Sequence, residues 1–127
     1  MGESVTADYS KEMNAWRKAE KEELDQVIEF NRNISDFERT KDVTFLKRAK
    51  LLQKGVLNTI SNAQNKLATF NRVFAKFRKE NAKRIKKDGH EGFFERIAQT
   101  AKEHEQFMIG DARSIRNFPF PKDLKPL

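Results

Sequence analysis

The sequence predicts an all-α protein, an elongated antiparallel helical hairpin or three-helix bundle that ends in an extended C-terminal tail. Apolar residues in the middle of the chain recur at steps of three or four residues, which is the period of an α-helix and not of a strand. They are Phe45, Ala49, Leu52, Val56, Ile60, Ala63, Leu67, Phe70, Phe74 and Phe77. Charged residues make up 35% of the 127 residues, and the chain has 11 phenylalanines. This composition is typical of a long amphipathic bundle with a narrow core filled by rings, and we expect a single domain over residues 1–127.

The N-terminal segment, residues 1–10, is rich in small polar residues and is predicted to be flexible. Its first six residues formally match the N-myristoylation pattern, but the pattern is short and common by chance, and Glu3 beside the acceptor glycine is unfavourable. Ser10 is a suitable N-cap, so the first helix is predicted to begin after it.

The first predicted helix covers residues 11–38 and carries an apolar stripe that two acidic residues interrupt. The stripe contains Met13, Trp16, Val27, Phe30, Ile34 and Phe37. Glu20 and Glu23 occupy positions on the same face, and we interpret them as charge partners of a basic neighbouring helix. The first half of this helix is expected to be the more solvated half. Trp16 is expected to contact either another helix or a partner, with packing the favoured alternative.

The second predicted helix covers residues 42–87 and pairs with the first like a coiled coil. The link between them is short, which favours antiparallel neighbours. Gly55 costs about 1 kcal/mol inside a helix relative to alanine, so a kink near it is an open alternative. Gly89 should follow the end of this helix, because glycine just past a helix and lysines in its last turn suit a C-terminus.

The third predicted helix covers residues 91–109 and stops at Gly110. The extended tail then covers residues 110–127, since Pro119 and Pro121 oppose helix formation. Its apolar anchors are Phe118, Phe120, Leu124 and Leu127. These anchors either dock along the chain's own bundle or fill a groove on another protein.

Charge is distributed unevenly along the chain, whose formal net charge is +7. Residues 1–38 hold 5 basic and 10 acidic side chains, whereas residues 39–88 hold 15 basic and 3 acidic ones. Cations recur at helical spacing near the end of the second helix: Arg72, Lys76, Lys79, Lys83 and Lys86, with Lys87 beside them. This face is predicted either to bind an anionic partner or to be a solvated surface that is partly offset by the acidic first helix.

Enzymatic chemistry finds little support in the sequence. The absence of cysteine excludes disulfides, thiolate nucleophiles and cysteine-bound metals. No glycine-rich phosphate loop and no His-Glu-x-x-His motif is present, so we expect no catalytic residue, no metal and no cofactor. His90 is interpreted as a turn residue and His104 as a solvent-facing one. No apolar run approaches the length of a bilayer span, so the chain is expected to be soluble and intracellular.

These features predict a non-enzymatic helical interaction protein, an adaptor or assembly subunit. Its expected partners are proteins, acidic ones among them, bound by the helical surfaces and the tail. Homo-oligomers are a further expectation, formed through seams left unmatched by helices of unequal length. The alternative is a sequence-tolerant DNA- or RNA-binding protein that uses the basic face. A weaker alternative is peripheral binding to anionic membranes.

Overall fold

The computed structural model describes residues 7–127, and within that range the chain is helical and contains no strand. Its four helices are α1 (Ala7–Thr40), α2 (Val43–Glu80), α3 (Ala82–Lys87) and α4 (Glu91–Arg116). The all-α prediction is confirmed. The flexible segment predicted over residues 1–10 is too long, because residues 7–10 already belong to α1. Residues 1–6, including the myristoylation pattern, lie outside the described range.

α1 and α2 form the predicted antiparallel hairpin and are joined by two residues. Lys41 adopts the left-handed conformation, with φ of 61°, and its amide donates to the Phe37 carbonyl oxygen at 2.7 Å. The Asp42 carboxylate then caps α2 by accepting from the Thr44 amide at 3.0 Å. That hydrogen bond lowers the pKa of Asp42. The cap and the reversal at Lys41 together turn the chain back on itself.

The core lies along one side of α2, between α1 and α4. The buried residues of α2 are Leu46, Ala49, Val56, Ile60, Ala63, Leu67, Phe70, Phe74 and Phe77. The sequence pattern predicted this row with two exceptions: Leu46 is buried in place of the half-buried Phe45, and the predicted Leu52 is half-buried. The Arg48 guanidinium lies over the Phe45 ring, 5.5 Å from the ring centroid.

The second predicted helix is interrupted at Asn81 and not at Gly55. α2 continues through Gly55, which is exposed and followed by the buried Val56. Asn81 leaves helical geometry, with φ of −114° and ψ of 20°. Its side-chain amide donates to the Phe77 carbonyl oxygen at 2.9 Å, beside its own backbone amide at 3.0 Å. Asparagine side chains compete with the backbone in this way and so favour interruptions.

α4 does not stop at Gly110 but continues to Arg116, so the prediction of a tail beginning at residue 110 is wrong. Met108, Ala112 and Ile115 are buried on one face of α4. Burying such side chains contributes more than the roughly 1 kcal/mol that an exposed glycine costs in a helix. The non-helical tail is therefore residues 117–127.

An aromatic cluster closes the end of the bundle where α1 begins. Tyr9 is buried, and its ring lies edge-on to Phe74 and Phe77, each at 5.0 Å between centroids. Phe94 of α4 lies 6.2 Å from the Tyr9 ring and joins the cluster. Such ring pairs add about 0.5–1.5 kcal/mol each beyond area burial, and burial raises the pKa of Tyr9. Tyr9 therefore anchors a segment that the sequence predicted to be flexible.

Candidate functional site

The predicted basic face forms an exposed row on α2 and α3. We call Arg72, Lys76, Lys79, Lys83, Lys86 and Lys87 the basic row, and all six side chains are exposed. Phe77 and Ile85 are buried on the opposite side. The Ile85 amide donates to the Asn81 carbonyl oxygen at 2.9 Å, so helical hydrogen bonding resumes directly at Asn81. The row thus passes the interruption without losing its exposure.

The acidic side chains of α1 do not compensate the basic row. Three ion pairs of α1 lie within that helix, formed by Lys21 with Asp25, Arg32 with Glu29, and Arg39 with Asp36, and Glu20 contacts His104 of α4. Among residues 9–127, whose side chains the structure describes, no member of the basic row forms an ion pair. The hypothesis that the first helix offsets the basic face is therefore not supported by the contacts.

The neighbouring cation Arg78 has a partner on α4. Arg78 pairs with Glu95 of α4 at 2.8 Å and lies over the Phe74 ring, 5.9 Å from its centroid. This ion pair links α4 to α2. Arg78 points to the side of α2 that α4 covers, which leaves the basic row to the solvent.

Exposed apolar side chains are absent from the basic row. In the described part of the chain the large exposed apolar residues are Leu24, Ile28, Val43, Leu51, Phe93, Phe107, Ile109 and Leu127. None of these lies on α2 after Leu51 or on α3. The row consequently offers charge without a ring on which a base could stack and without an apolar group to insert into lipid.

The predicted tail anchors have different environments. Phe118 and Phe120 lie 4.7 Å apart and pack edge-on against Phe30 of α1, at 5.9 and 6.3 Å. Leu124 is half-buried and lines a surface depression with residues of α2, whereas Leu127 is 63% exposed. The tail thus docks on its own bundle through its two rings.

A polar cluster between α1 and α4 was missed by the sequence reasoning. The Trp16 indole nitrogen donates to one carboxylate oxygen of Glu20 at 2.6 Å, and Nδ1 of His104 lies 2.5 Å from the other. The Trp16 and His104 rings are edge-on at 5.8 Å. His104 is therefore half-buried in an interhelical contact, and the interpretation that it faces solvent is wrong. His90 lies in the turn before α4 and is exposed.

Glu23 lies in the same region and is buried without full hydrogen bonding. Only 1% of its surface is exposed, and its Oε2 has no hydrogen-bond partner. The pKa of Glu23 is raised to about 7, mainly by burial and to a smaller extent by the neighbouring Asp111 and Glu20 carboxylates. Burial also raises the pKa of Asp111. Glu20 and Glu23 are therefore not charge partners of α2, contrary to the prediction.

These polar residues form a contact between α1 and α4 that borders the surface. A groove of about 300 Å³ borders Glu20 and His104, and its other lining residues are Trp16, Arg17, Lys21, Leu24 and Thr100. No group of three or more His, Asp or Glu side chains in residues 9–127 is arranged to hold a metal ion. The presence of Glu20 and Glu23 at apolar positions of the stripe was the signal that could have identified the cluster.

Comparison with known proteins adds no assignment, because no family model, curated protein or solved structure matches the chain. None of the helices in residues 7–127 combines the length and the apolar character needed to cross a membrane.

Proposed function

We propose that the protein is a non-enzymatic helical interaction protein, an adaptor or assembly subunit, whose basic row binds an acidic partner protein. The observation that carries the proposal is the exposure of six cations without any intramolecular ion pair among the described side chains. Glu80 is the single acidic residue in the sequence from Arg72 to Lys87, so the cations of the row outnumber it and repel one another. An acidic surface placed on the row is therefore favoured by direct Coulomb attraction.

Self-association through an uncovered apolar seam was expected from the sequence, and the burial of the apolar side chains does not support it. Phe70, Phe74 and Phe77 are buried within the single chain by α1 and α4. The Phe118 and Phe120 rings already contact Phe30. Charge on the outer side of α2 and α3 is therefore a better basis for partner binding than an uncovered apolar seam.

A sequence-tolerant interaction with nucleic acid is the second candidate, and the linear arrangement of the row favours it. Arg72 to Lys86 would span roughly 21 Å at about 1.5 Å per residue, which is long enough to follow several backbone phosphates. α2 lies between α1 and α4, so it is not free to enter a major groove as a recognition helix does. Binding would therefore be directed to the phosphate backbone.

One titration separates these two candidates. Fluorescence anisotropy would be measured with a labelled 20-residue polyglutamate and with a random-sequence 20-base-pair duplex, at 50 and 200 mM salt. If the protein binds an acidic partner protein, polyglutamate should bind at 50 mM salt. If the protein binds nucleic acid, the duplex affinity should fall roughly 500-fold between 50 and 200 mM salt, for about five neutralised phosphates.

The double variant Lys79→Glu, Lys83→Glu should abolish binding by either probe, because it reverses the centre of the row. The matched control is Lys18→Glu, Lys102→Glu, which changes net charge equally at two exposed positions away from the row. Circular dichroism should show unchanged helix content in both variants. If neither probe binds at 50 mM salt, or if the control loses binding as fully as the row variant, the proposal is wrong.

A further inference from the structure

The N-terminal part of α2 and the tail enclose two neighbouring surface depressions, which together we call the tail groove. The first, of about 250 Å³, is lined by Lys47, Lys50, Leu51, Leu124, Lys125 and Pro126. The second, of about 300 Å³, is lined by Val43, Lys47, Pro121, Asp123, Leu124 and Lys125. Three residues belong to both linings and so lie between the two depressions: Lys47, Leu124 and Lys125.

The folded chain fixes the tail that forms one wall of this groove. The Gln53 side-chain amide donates to the Ile115 carbonyl oxygen at 2.7 Å, which ties the end of α4 to α2. Phe118 and Phe120 then dock on Phe30, and the Leu124 amide donates to the Pro121 carbonyl oxygen at 3.1 Å. The groove is therefore formed before any partner arrives, which lowers the ordering cost of binding.

The groove combines an apolar floor with a cationic rim. Val43 and Leu51 are 43% and 63% exposed and line it. Large apolar side chains exposed together in this way are typical of a docking surface. Three of the lining residues are lysines, and Asp123 is the single acidic residue among them. The local charge thus favours an acidic occupant.

We propose that the tail groove binds an acidic amphipathic peptide segment of a partner protein. Two apolar side chains of the peptide fill the two depressions, and its carboxylates pair with Lys47, Lys50 and Lys125. Two depressions separated by a shared wall suit two separate anchors better than one continuous alkyl chain. Burying both anchors supplies affinity, and the lysines reject basic peptides.

This site is distinct from the basic row. Lys47 and Lys79 are 32 residues apart in sequence, which corresponds to roughly 48 Å along α2. The proposal therefore does not depend on the basic row, and each surface can be disabled without changing the other.

A selection from a random 12-residue peptide display library tests the proposal directly on the full chain. The expected result is an enriched family with at least two apolar residues and a negative net charge. A labelled member should lose more than tenfold in affinity for the variant Lys47→Glu, Lys50→Glu, and likewise for Leu51→Ser. Since Lys47 is half-buried while Lys50 and Leu51 are exposed, circular dichroism of each variant should confirm an intact fold.

The matched controls come from the same chain and the same peptide. Lys79→Glu, Lys83→Glu should leave peptide affinity unchanged, and a peptide with its apolar residues replaced by serine should not bind. Enrichment of no family, or of one that binds the groove variants as well as the original chain, would overturn the proposal. So would binding of phosphatidylserine vesicles through Lys47 and Lys50 without any peptide binding, which would assign the groove to lipid.

Discussion

Replacing Glu23 by glutamine should stabilise the protein above neutral pH and change its stability little at pH 5. Glu23 is 1% exposed, its Oε2 has no hydrogen-bond partner, and Glu20 and Asp111 place negative charge near it. All three conditions oppose the charged form of the carboxyl group. Glutamine has nearly the same shape and stays neutral at every pH.

The magnitude follows from the pKa of Glu23, which rises from 4.5 to about 7 on folding. Each pKa unit corresponds to about 1.4 kcal/mol, so the rise corresponds to roughly 3 kcal/mol. Between these pH values the native state binds more protons than the unfolded state, so the free energy of unfolding falls as pH rises. The contribution is fully present below pH 4.5 and is lost by about pH 8. The figure is an upper bound, because relaxation of the protein around a buried charge lowers the cost of ionising it.

Urea unfolding of the original chain, Glu23→Gln and Glu22→Gln at pH 5 and pH 8 would measure the effect. Glu22 is exposed and one residue away, so Glu22→Gln removes the same charge without removing a buried carboxyl. We expect Glu23→Gln to gain up to about 3 kcal/mol over the original chain at pH 8, and less than about 1 kcal/mol at pH 5. Equal gains at the two pH values, or an equal gain for Glu22→Gln, would refute the account of Glu23 as a buried proton-holding group.

Two further predictions concern the glycines and the tail. Gly110→Ala should stabilise the protein by about 1 kcal/mol, because Gly110 is helical and exposed and no heavy atom lies within 4 Å of an added Cβ. Gly89→Ala should instead destabilise it by about 1 kcal/mol, because Gly89 has φ of 72°, and thermal unfolding of both variants would show opposite shifts. Phe118→Ala should release the tail by removing the ring contacts with Phe30 and Phe120, so amide exchange at Leu124 should become markedly faster while exchange in α2 stays slow.

The core of α2 could be predicted because burial there follows helical periodicity almost without exception. Two errors in the helices, at Gly110 and at residues 7–10, arose because local signals were outweighed by tertiary contacts that the sequence does not display. The interruption at Asn81 has a local cause, the hydrogen bond from its side chain to the Phe77 carbonyl oxygen. Gly110 resembles a helix stop, yet burial of Met108, Ala112 and Ile115 carries α4 past it. Tyr9 lies in a weakly patterned segment and becomes ordered only because Phe74 and Phe77 present their rings to it.

The basic row and the polar cluster differ in how far the sequence could predict them. Placing the row requires only the helical spacing of the cations, which is visible in the sequence and continues from α2 into α3. The contact between Glu20 and His104 joins residues 84 positions apart and depends on the alignment of α4 with α1. No local pattern contains that alignment. The absence of ion pairs on the row was equally hidden, because it depends on where the acidic residues of α1 point.

The two sides of α2 have different roles, one in packing and one in the proposed binding, so folding and binding can be tested separately in this protein. One side of α2 is occupied by Phe70, Phe74 and Phe77, which α1 and α4 cover, so the stability of the bundle comes from that side. Cations on the other side contribute no ion pair to the fold among the described side chains. Exposed charges of this kind change stability by only a few tenths of a kcal/mol when replaced. Reversing Lys79 and Lys83 should therefore remove an anionic partner from an intact bundle, and a variant that unfolds instead would show that this side also supports the fold.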